Sequence, residues 1–236
     1  MALIRISHYL ALCGVASRRQ AARLVDAGRV TINQQVAAHT DRVESLHKLD
    51  ICVDGHPVLA PQDKQYWLYN KPVGIDCRLL INDSCSLLHL LPTSPRLYPA
   101  GRLDKDSRGL LLLTNDGELT QTLMHPDFHH SKTYLVQVDK PLTAKFLSDM
   151  ASGVSYGQVQ TRPCTIRLVN SITFEIVLTQ GLNRQIRRMC QAFGYQVMDL
   201  LRIKIADVCL NDLPEKTMRP VSAAELLSLK QLTQST

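Results

Sequence analysis

The sequence contains few aromatic residues, which make up 5% of it and include a single Trp, and it has no long apolar run. A helix that crosses a bilayer needs about 20 consecutive apolar residues, so we expect no membrane contact. The apolar stretch at residues 9–16 is short, contains Gly14 and is followed by Arg18 and Arg19. We therefore interpret it as part of a helix of the folded protein and not as a secretory signal.

Paired cysteines and nucleotide-binding glycine loops are also missing. An odd number of scattered cysteines without a C-x-x-C pair is typical of buried thiols in a reducing compartment. We therefore expect a cytoplasmic protein without a disulfide framework or a zinc knuckle. Because no Walker or dinucleotide-binding loop is present, we also expect no cofactor. The seven cysteines are Cys13, Cys52, Cys77, Cys85, Cys164, Cys190 and Cys209.

The chain does have a globular composition with a basic charge balance. It has 236 residues, of which 45% are apolar and 20% are charged, close to the averages of globular domains. That composition excludes a largely disordered chain, and the length suits one or two domains. The net charge of +6 favours an anionic partner such as nucleic acid, although charge alone is weak evidence.

The first sixty residues predict two short helices followed by short strands. Apolar residues at helical spacing predict a helix over residues 4–13 that ends at Gly14. Ser17 and Gln20 then form a capping-box pattern at the start of a second helix. Residues 1–30 contain five Arg and one acidic residue. From charge alone, a solvated helix face is the simpler explanation of this excess.

A second module is predicted after a charged, Pro-containing linker at residues 61–64. Within residues 98–126, a Gly-Arg-Leu-Asp loop precedes a continuous apolar run at residues 110–114, which is typical of a buried strand. Asp104 lies on this loop just before the strand. A carboxylate that a rigid scaffold holds on a loop is a candidate catalytic group. The alternative is that Asp104 and Asp106 only cap turns.

A cluster of three Arg follows the predicted strand Thr173–Leu178. We predict a helix over residues 180–189 that carries Arg184, Arg187 and Arg188. Arg184 and Arg188 would then be neighbours of like charge, which repel by about 0.2–0.5 kcal/mol. Such a cluster needs an anionic partner, either a carboxylate of the protein or a phosphate. A surface ion-pair network is the structural alternative.

Four segments of the second module resemble motifs of the RsuA-type RNA pseudouridine synthases, in the same order, and are most similar to the RluF branch. They are residues 70–74, 101–104, 132–134 and 184–189. The front segment "RISHYLALCGVASRRQAARLVDAGRVTIN" resembles the S4 RNA-binding domain, so the resemblance covers almost the whole chain. The family has Gly where this chain has Gln34 and Lys216, and the basic C-terminal tail of some RluF-like proteins is missing.

This resemblance implies the roles of particular side chains. The family's catalytic Asp falls on Asp104, its active-site Tyr on Tyr134 and its apolar pocket residue on Leu200. Its third-motif basic residue falls on Arg187, which the match places beside Asp104. Contacts with RNA are expected from eight basic residues, namely Arg18, Arg19, Arg23, Arg29, Lys71, Arg102, Arg184 and Arg188.

The fold that the resemblance implies is of the α+β class. An S4 domain over residues 1–60 and a linker over 61–64 precede a pseudouridine synthase domain over 65–236. The catalytic domain should have a mixed, largely antiparallel sheet, peripheral helices and a central catalytic cleft. We expect a monomer.

The reaction implied is the isomerisation of a uridine to pseudouridine, with large-subunit ribosomal RNA as the expected target. The base detaches, rotates and reattaches through C5, so the reaction requires no redox step and no group donor. Asp104 can attack C1′ or take the C2′ proton, and the residues do not choose between these. The target base must first leave its stack.

Three alternatives stay open at this point. The substrate can instead be tRNA or small-subunit ribosomal RNA, or the chain can be a non-catalytic S4-type RNA-binding protein. A metal-dependent nuclease or hydrolase would use His125, His129 and His130 with Asp127. These residues flank Pro126 in a predicted loop, so a shared metal-binding face is not assured, and we expect activity to survive EDTA.

Overall fold

The computed structural model describes residues 3–44 and 49–234, and the chain divides into two compact units. The first contains the residues up to Gln65 together with Pro92–Leu97, and the second contains Tyr66–Leu91 and the residues from Tyr98 onwards. The sequence-based boundaries at residues 60 and 65 stay a prediction. Within the described ranges, no helix is long and apolar enough to cross a membrane.

The first unit contains two helices and six short strands among its described residues. They are β1 (Leu3–Arg5), α1 (Ile6–Leu12), α2 (Arg18–Asp26), β2 (Val30–Ile32), β3 (Gln35–Val36), β4 (Arg42–Glu44), β5 (Ile51–Val53) and β6 (His56–Pro57). One sheet has the order β3-β2-β5-β6, and β1 pairs with β4. The first helix therefore starts two residues later than predicted, because residues 3–5 pair with β4 as a strand.

Helix α2 begins as the sequence predicts. The Ser17 side chain accepts a hydrogen bond from Gln20 N, and the Gln20 side chain accepts one from Ser17 N at 3.2 Å. This reciprocal capping pairs two of the backbone N–H groups that a helix N-terminus leaves unbonded. The helix buries Ala21 and Val25 in the same core as α1, so its Arg side chains lie on the exposed face.

The second unit is built around one sheet of nine strands. Its elements are β7 (Tyr66–Lys71), β8 (Tyr98–Pro99), β9 (Arg108–Thr114), α3 (Gly117–Met124), β10 (Lys132–Val138), α4 (Ala144–Ala151), β11 (Ser155–Tyr156), β12 (Val159–Gln160), β13 (Thr165–Asn170), β14 (Thr173–Leu178), α5 (Gln185–Ala192), β15 (Val197–Ile205), β16 (Val208–Cys209), β17 (Met218–Pro220) and α6 (Ala223–Gln234). The sheet order is β13-β14-β10-β15-β9-β7-β17, with β16 on β15 and β8 on β9. Strands β9 and β15 are parallel and their other neighbours are antiparallel, which confirms the predicted mixed, largely antiparallel sheet.

Strand β9 is buried on both faces. Leu110 and Leu112 pack in the cluster that α3 and α6 cover, whereas Leu111 and Leu113 pack in a second cluster with Leu87. This explains why its sequence is a continuous apolar run and not an alternating one. The strand therefore gives the loop before it a rigid base.

Two positions at which the family pattern has Gly carry other residues in a left-handed backbone conformation. Gln34 has φ of 68° and Lys216 has φ of 67°. Glycine enters this region freely, while an L-residue with a side chain is disfavoured there by about 1–2 kcal/mol. Both departures from the family pattern therefore place backbone strain at a turn.

Candidate active site

The loop over residues 101–107 is held in place by its backbone. Gly101 has φ of 82°, and a Cβ added there would collide with Sδ of Met124. Ser107 N donates to the carbonyl oxygen of Asp104 at 3.0 Å, and Gly74 N donates to that of Lys105 at 2.8 Å. Because β9 follows at once, the position of this loop relative to the sheet is well determined.

Asp104 lines a cavity of about 590 Å³ that lies within the second unit. The residue is half-buried. Among the described residues its carboxylate makes no hydrogen bond and no ion pair. A carboxylate held at a cavity wall without a protein partner is available to a ligand that enters the cavity. The loop position agrees with the prediction of a candidate catalytic group, and the role of Asp104 remains a prediction.

Tyr134 and Leu200 line the same cavity from two neighbouring strands. In the pairing of β10 with β15, Tyr134 is opposite Arg202 and Val136 is opposite Leu200. Residues two apart on a strand share a face, so Lys132 and Tyr134 share one with Leu200 and Arg202. The structure thus brings together three of the four residues predicted to be catalytic, and exposed Arg102 lines the cavity as well.

The predicted pairing of Arg187 with Asp104 is wrong. Arg187 Nη2 donates to the carbonyl oxygen of Asp106 at 2.6 Å, and its Nε lies 3.3 Å from Asp106 Oδ2. Its Nη1 donates to Val197 O at 3.0 Å. The turn closed by Ser107 leaves the Asp104 carboxylate at the cavity and that of Asp106 at the start of α5. Arg187 therefore holds the loop over residues 101–107 through Asp106.

Arg184 is also engaged by Asp106, so it is not a free cation for RNA as predicted. Its Nη1 and Nη2 donate to the two carboxylate oxygens at 2.9 and 2.8 Å. This guanidinium, first among several causes, lowers the pKa of Asp106 below its ordinary value. Helix α5 begins only at Gln185, because Arg184 has a left-handed φ of 52°. The predicted helix over 180–189 thus starts five residues too early.

Lys71 cannot contact RNA in this structure, which corrects a second predicted contact. Its side chain is fully buried, and Nζ donates to the carbonyl oxygens of Pro72 at 2.9 Å and Ile75 at 2.8 Å. Burial lowers the pKa of this ammonium. Its contacts show that Lys71 closes the loop that follows β7.

The basic residues of the first unit differ in whether they have partners. Arg18, Arg19 and Arg23 are exposed and make no side-chain hydrogen bond or ion pair among the described residues. Arg29 is also exposed, but its Nε donates to Asp54 Oδ1 at 2.7 Å within a two-bond ion pair. Three of the four predicted RNA contacts of this unit are therefore available to a ligand as they stand.

Arg188 differs from the other two arginines of the cluster, because it is exposed and does not contact Asp106. Its Nη2 donates to Asn183 Oδ1 at 3.2 Å, and its guanidinium carbon lies 6.0 Å from the centre of the Tyr156 ring. Among the described residues it has no carboxylate partner. Its predicted role in RNA binding is compatible with this exposure and stays a prediction.

Two functional candidates, Lys132 and Arg202, lie in the cavity wall and are missing from the predicted set. Lys132 belongs to the Lys-Thr-Tyr motif, and strand alternation alone places it on the same face as Tyr134. Arg202 is a cation directly between the apolar residues Leu201 and Ile203 of β15, and a charged side chain is unusual at a buried position. Both signals are present in the sequence, although neither states which cavity the side chains line.

The predicted alternative of a metal site lacks a suitable ligand group in the structure. In residues 3–44 and 49–234, no three His, Cys, Asp or Glu side chains are arranged to hold a metal ion. The rings of His125 and His130 each pack on Phe128, with ring centroids 5.3 and 6.2 Å apart.

Comparison with known proteins identifies the class of enzyme. A family model described as RNA pseudouridylate synthase matches residues 65–192, and an S4 domain model matches residues 4–42. This chain therefore belongs to the RNA pseudouridine synthases, isomerases that act on RNA, with an N-terminal S4 domain. Membership in this family excludes the alternative of a non-catalytic S4 protein.

Individual relatives show to which members of this family the chain is similar. The chain is 36% identical, over 98% of its length and 80% of the relative's, to the Dual-specificity RNA pseudouridine synthase RluF of Escherichia coli K12. It is 29% identical, over 96% of its length and the whole of the relative, to the Ribosomal small subunit pseudouridine synthase A of the same organism. A crystal structure of a pseudouridylate synthase has a TM-score of 0.70 and 27% identity, and the match covers 96% of this chain and 99% of that one.

Proposed function

We propose that this chain converts a uridine of large-subunit ribosomal RNA to pseudouridine, with Asp104 as the residue that acts on the ribose. The observation that carries the proposal is the Asp104 carboxylate, which is held on a fixed loop at a cavity wall without a protein partner. Tyr134 and Leu200 line the same cavity and offer the base an aromatic and an aliphatic surface.

The chemistry follows from what these groups can do. The Asp104 carboxylate can attack C1′ of the target nucleotide or take its C2′ proton, and either step releases the base from the sugar. The ring of Tyr134 can stack on the detached base, and its hydroxyl can carry a proton. A base within a helical stack cannot reach a half-buried carboxylate, so we infer that the target nucleotide flips out, at a cost of a few kcal/mol.

The choice of RNA rests on the relatives. Identity to the RluF enzyme, at 36%, exceeds identity to the small-subunit enzymes, at 29% and 31%. This difference and the resemblance of the four motifs to the RluF branch support large-subunit RNA. The words "dual-specificity" in the relative's name favour a second class of substrate, for which tRNA is our candidate.

Pseudouridine mapping in RNA from a strain without this chain tests the proposed target. We expect one large-subunit position to remain uridine, and the wild-type chain to restore its modification. Mapping of tRNA in the same strain tests the second class of substrate. Loss of modification only in small-subunit RNA would contradict the proposed target.

The Asp104→Asn variant tests the proposed residue. The amide has almost the size of the carboxylate but neither its charge nor its basicity. We expect turnover to fall by about 10²–10⁴-fold or more, with RNA affinity and folding nearly unchanged. Asp149→Asn is the matched control, because Asp149 lies in α4 in a surface ion pair with Lys145. Wild-type turnover of Asp104→Asn would refute the assignment.

A further inference from the structure

The cavity that Asp104 lines also carries two cations that have no acidic partner among the described residues. Lys132 and Arg202 both line the cavity, and among the described residues neither forms an ion pair with a carboxylate. They are close enough for the charge of Arg202 to disfavour that of Lys132. Two desolvated cations that repel each other at a cavity form a binding site for an anion.

Lys132 has part of its hydrogen-bonding capacity unused. Its ammonium donates to the carbonyl oxygens of His130 at 2.9 Å and of Leu123 at 3.3 Å. Since an ammonium has three N–H donors, one remains for a ligand in the cavity. The two carbonyls fix the position of the charge without neutralising it.

Arg202 supplies the second unused donor. The residue is 3% exposed, and its Nε donates to Leu110 O at 2.7 Å. Its Nη2 is buried and has no hydrogen-bond partner among the described residues. Buried donors are normally paired, and this unpaired nitrogen belongs to a residue that lines the cavity. Its missing partner can therefore be supplied by a group that binds in the cavity next to Arg202.

We propose that Lys132 and Arg202 together stabilise the uracil anion while the base is detached from the ribose. The inference rests on the proposed function, because the anion forms only during that reaction. Lys132 shares its strand face with Tyr134, and Arg202 is paired with Tyr134 across the strands. The two cations therefore flank the ring on which we expect the base to stack.

The anion forms by either of the routes open to Asp104. When the C1′–N1 bond breaks, its electron pair leaves with N1, and the charge spreads to O2 and O4 of the ring. The ribose carbon is then captured by the Asp104 carboxylate, or the sugar loses its C2′ proton to Asp104. When C5 joins C1′ and consumes the anion, either the C1′–O bond to Asp104 breaks and frees the carboxylate, or Asp104 returns its proton to C2′. C5 then loses its proton and N1 gains one. The cations thus act at a charge that is absent from bound uridine, which is the condition for accelerating the reaction.

Single-turnover kinetics with saturating enzyme tests this inference, on an RNA that the wild-type chain modifies. Removing one preorganised donor to a developing anion slows catalysis by about 10²–10³-fold, so we expect Lys132→Met to lose about 10²-fold in rate with its RNA Kd nearly unchanged. Lys132→Arg should keep most of the rate. Lys145→Met, which removes an exposed lysine on α4, should match the wild type.

The outcomes separate the possible errors. An unchanged rate in Lys132→Met, or a weaker Kd with an unchanged rate as for a phosphate contact, would overturn the inference. If the wild-type chain modifies no RNA, the proposed function fails and this inference fails with it, whereas an active wild type with an equally fast Lys132→Met variant overturns this inference alone. If Lys132→Met does not fold, the inference is tested by comparing how the rate constants of the wild type and of Lys132→Arg depend on pH.

Titration of Lys132 provides that second readout. Burial and, secondly, Arg202 lower the pKa of Lys132 to about 8. The other titratable groups nearby are His130 on its own segment, Tyr134 on the same strand face and His125 at the end of α3, and Asp104 lines the same cavity. Paired β14 contributes Leu178. At subsaturating enzyme concentration, the pH dependence of the single-turnover rate constant reports the ionisations of the free enzyme. In the wild type this rate constant should fall above pH 8. Lys132→Arg should show no such fall, and equal profiles would overturn the inference.

Discussion

The arginines of the two units differ in what holds them. In the first unit, Arg18, Arg19 and Arg23 extend from α2 without a partner among the described residues. In the second unit, Arg184 and Arg187 are both bound to Asp106. The sequence shows the same density of positive charge at both places. The difference teaches that an arginine cluster in a sequence can either stay available to bind phosphate or hold a loop in place. A nearby carboxylate such as Asp106 decides between the two.

Each unit also contains an exception. Arg29 of the first unit is neutralised by Asp54, and Arg188 of the second lies exposed over Tyr156. Substituting Arg29 or Arg188 therefore provides a matched control within each unit. Arg29 is a paired arginine in the unit where the others lack partners, and Arg188 lacks a carboxylate partner in the unit where the others are paired. The comparison between the units can therefore be tested without separating them.

The largest effect is expected from Arg187→Met. Loss of this guanidinium leaves the carbonyl oxygens of Asp106 and Val197 without their donor and loosens the loop that carries Asp104. A displacement of about 1 Å at a reacting group costs about 10²-fold in rate. We expect single-turnover rates at saturating enzyme to fall by about that factor, with a smaller change in RNA Kd. Lys at this position should restore only part of the rate, since an ammonium lacks the planar fork.

Arg188→Met is the control for Arg187→Met, one residue further along α5. Its side chain is exposed and has no carboxylate partner among the described residues, so we expect weaker binding and an almost unchanged rate. If Arg187→Met weakens only binding, Arg187 is a phosphate contact and the loop is held by other residues.

Much of the fold could be predicted, because its signals are local. The capping box at Ser17 and the buried run of β9 depend on residues close in the chain, and the structure contains both. The cavity residues Asp104, Tyr134 and Leu200 came from the family resemblance, and the structure brings them to one cavity.

The errors at Arg184 and Arg187 concern pairings between distant segments. Asp104 and Asp106 are equally plausible partners for Arg187 in the sequence, and only the turn between them directs one carboxylate towards α5. The error at Lys71 has a different cause: its ammonium binds carbonyls only one and four residues further along the chain, in a loop whose path the sequence does not show. The position of the charged group at the end of a long side chain depends on tertiary structure, and the periodicity of apolar residues in the sequence does not predict it.

Breaking the ion pair between Arg219 and Glu225, which lies outside the cavity, should lower stability and leave turnover unchanged. Glu225 accepts from Arg219 Nη1 at 2.8 Å and Nη2 at 2.6 Å, and this partner is the main reason that its pKa is lowered from 4.5 to about 2. Glu225→Gln should lower the free energy of unfolding at pH 7 by about 1.5–3 kcal/mol.

The pH dependence of this effect has a definite sign. Because the folded-state pKa is depressed, the stabilisation is complete above pH 4.5 and is lost as the pH falls towards 2. Urea unfolding of the wild type and Glu225→Gln should therefore converge in acid. A constant difference between them down to pH 2 would show that the charge of Glu225 is not the cause.

The free arginines of the first unit should act on the salt dependence of RNA binding. If Arg18, Arg19 and Arg23 contact phosphates, each Arg→Gln change should reduce the slope of log K against log salt by about 0.9, the value for duplex DNA. Arg29→Gln should change the slope less, because Asp54 already neutralises Arg29. Equal slopes in all four variants would mean that α2 presents only a solvated face.

The smallest effect is expected at Lys216, which should affect stability through its backbone conformation and not through its charge. Lys216 has φ of 67°, and its N–H donates to Asn70 O at 2.9 Å beside β7. Lys216→Gly relieves the strain of a left-handed L-residue but adds chain entropy to the unfolded state. The net gain should be about 0.5–1 kcal/mol, or about 1–4 °C in Tm for a chain of this size. Asn211→Gly is the control, because Asn tolerates its φ of 48°, so its Tm should stay nearly constant. A lower Tm for Lys216→Gly would show that the lysine side chain makes a stabilising contact that outweighs the strain.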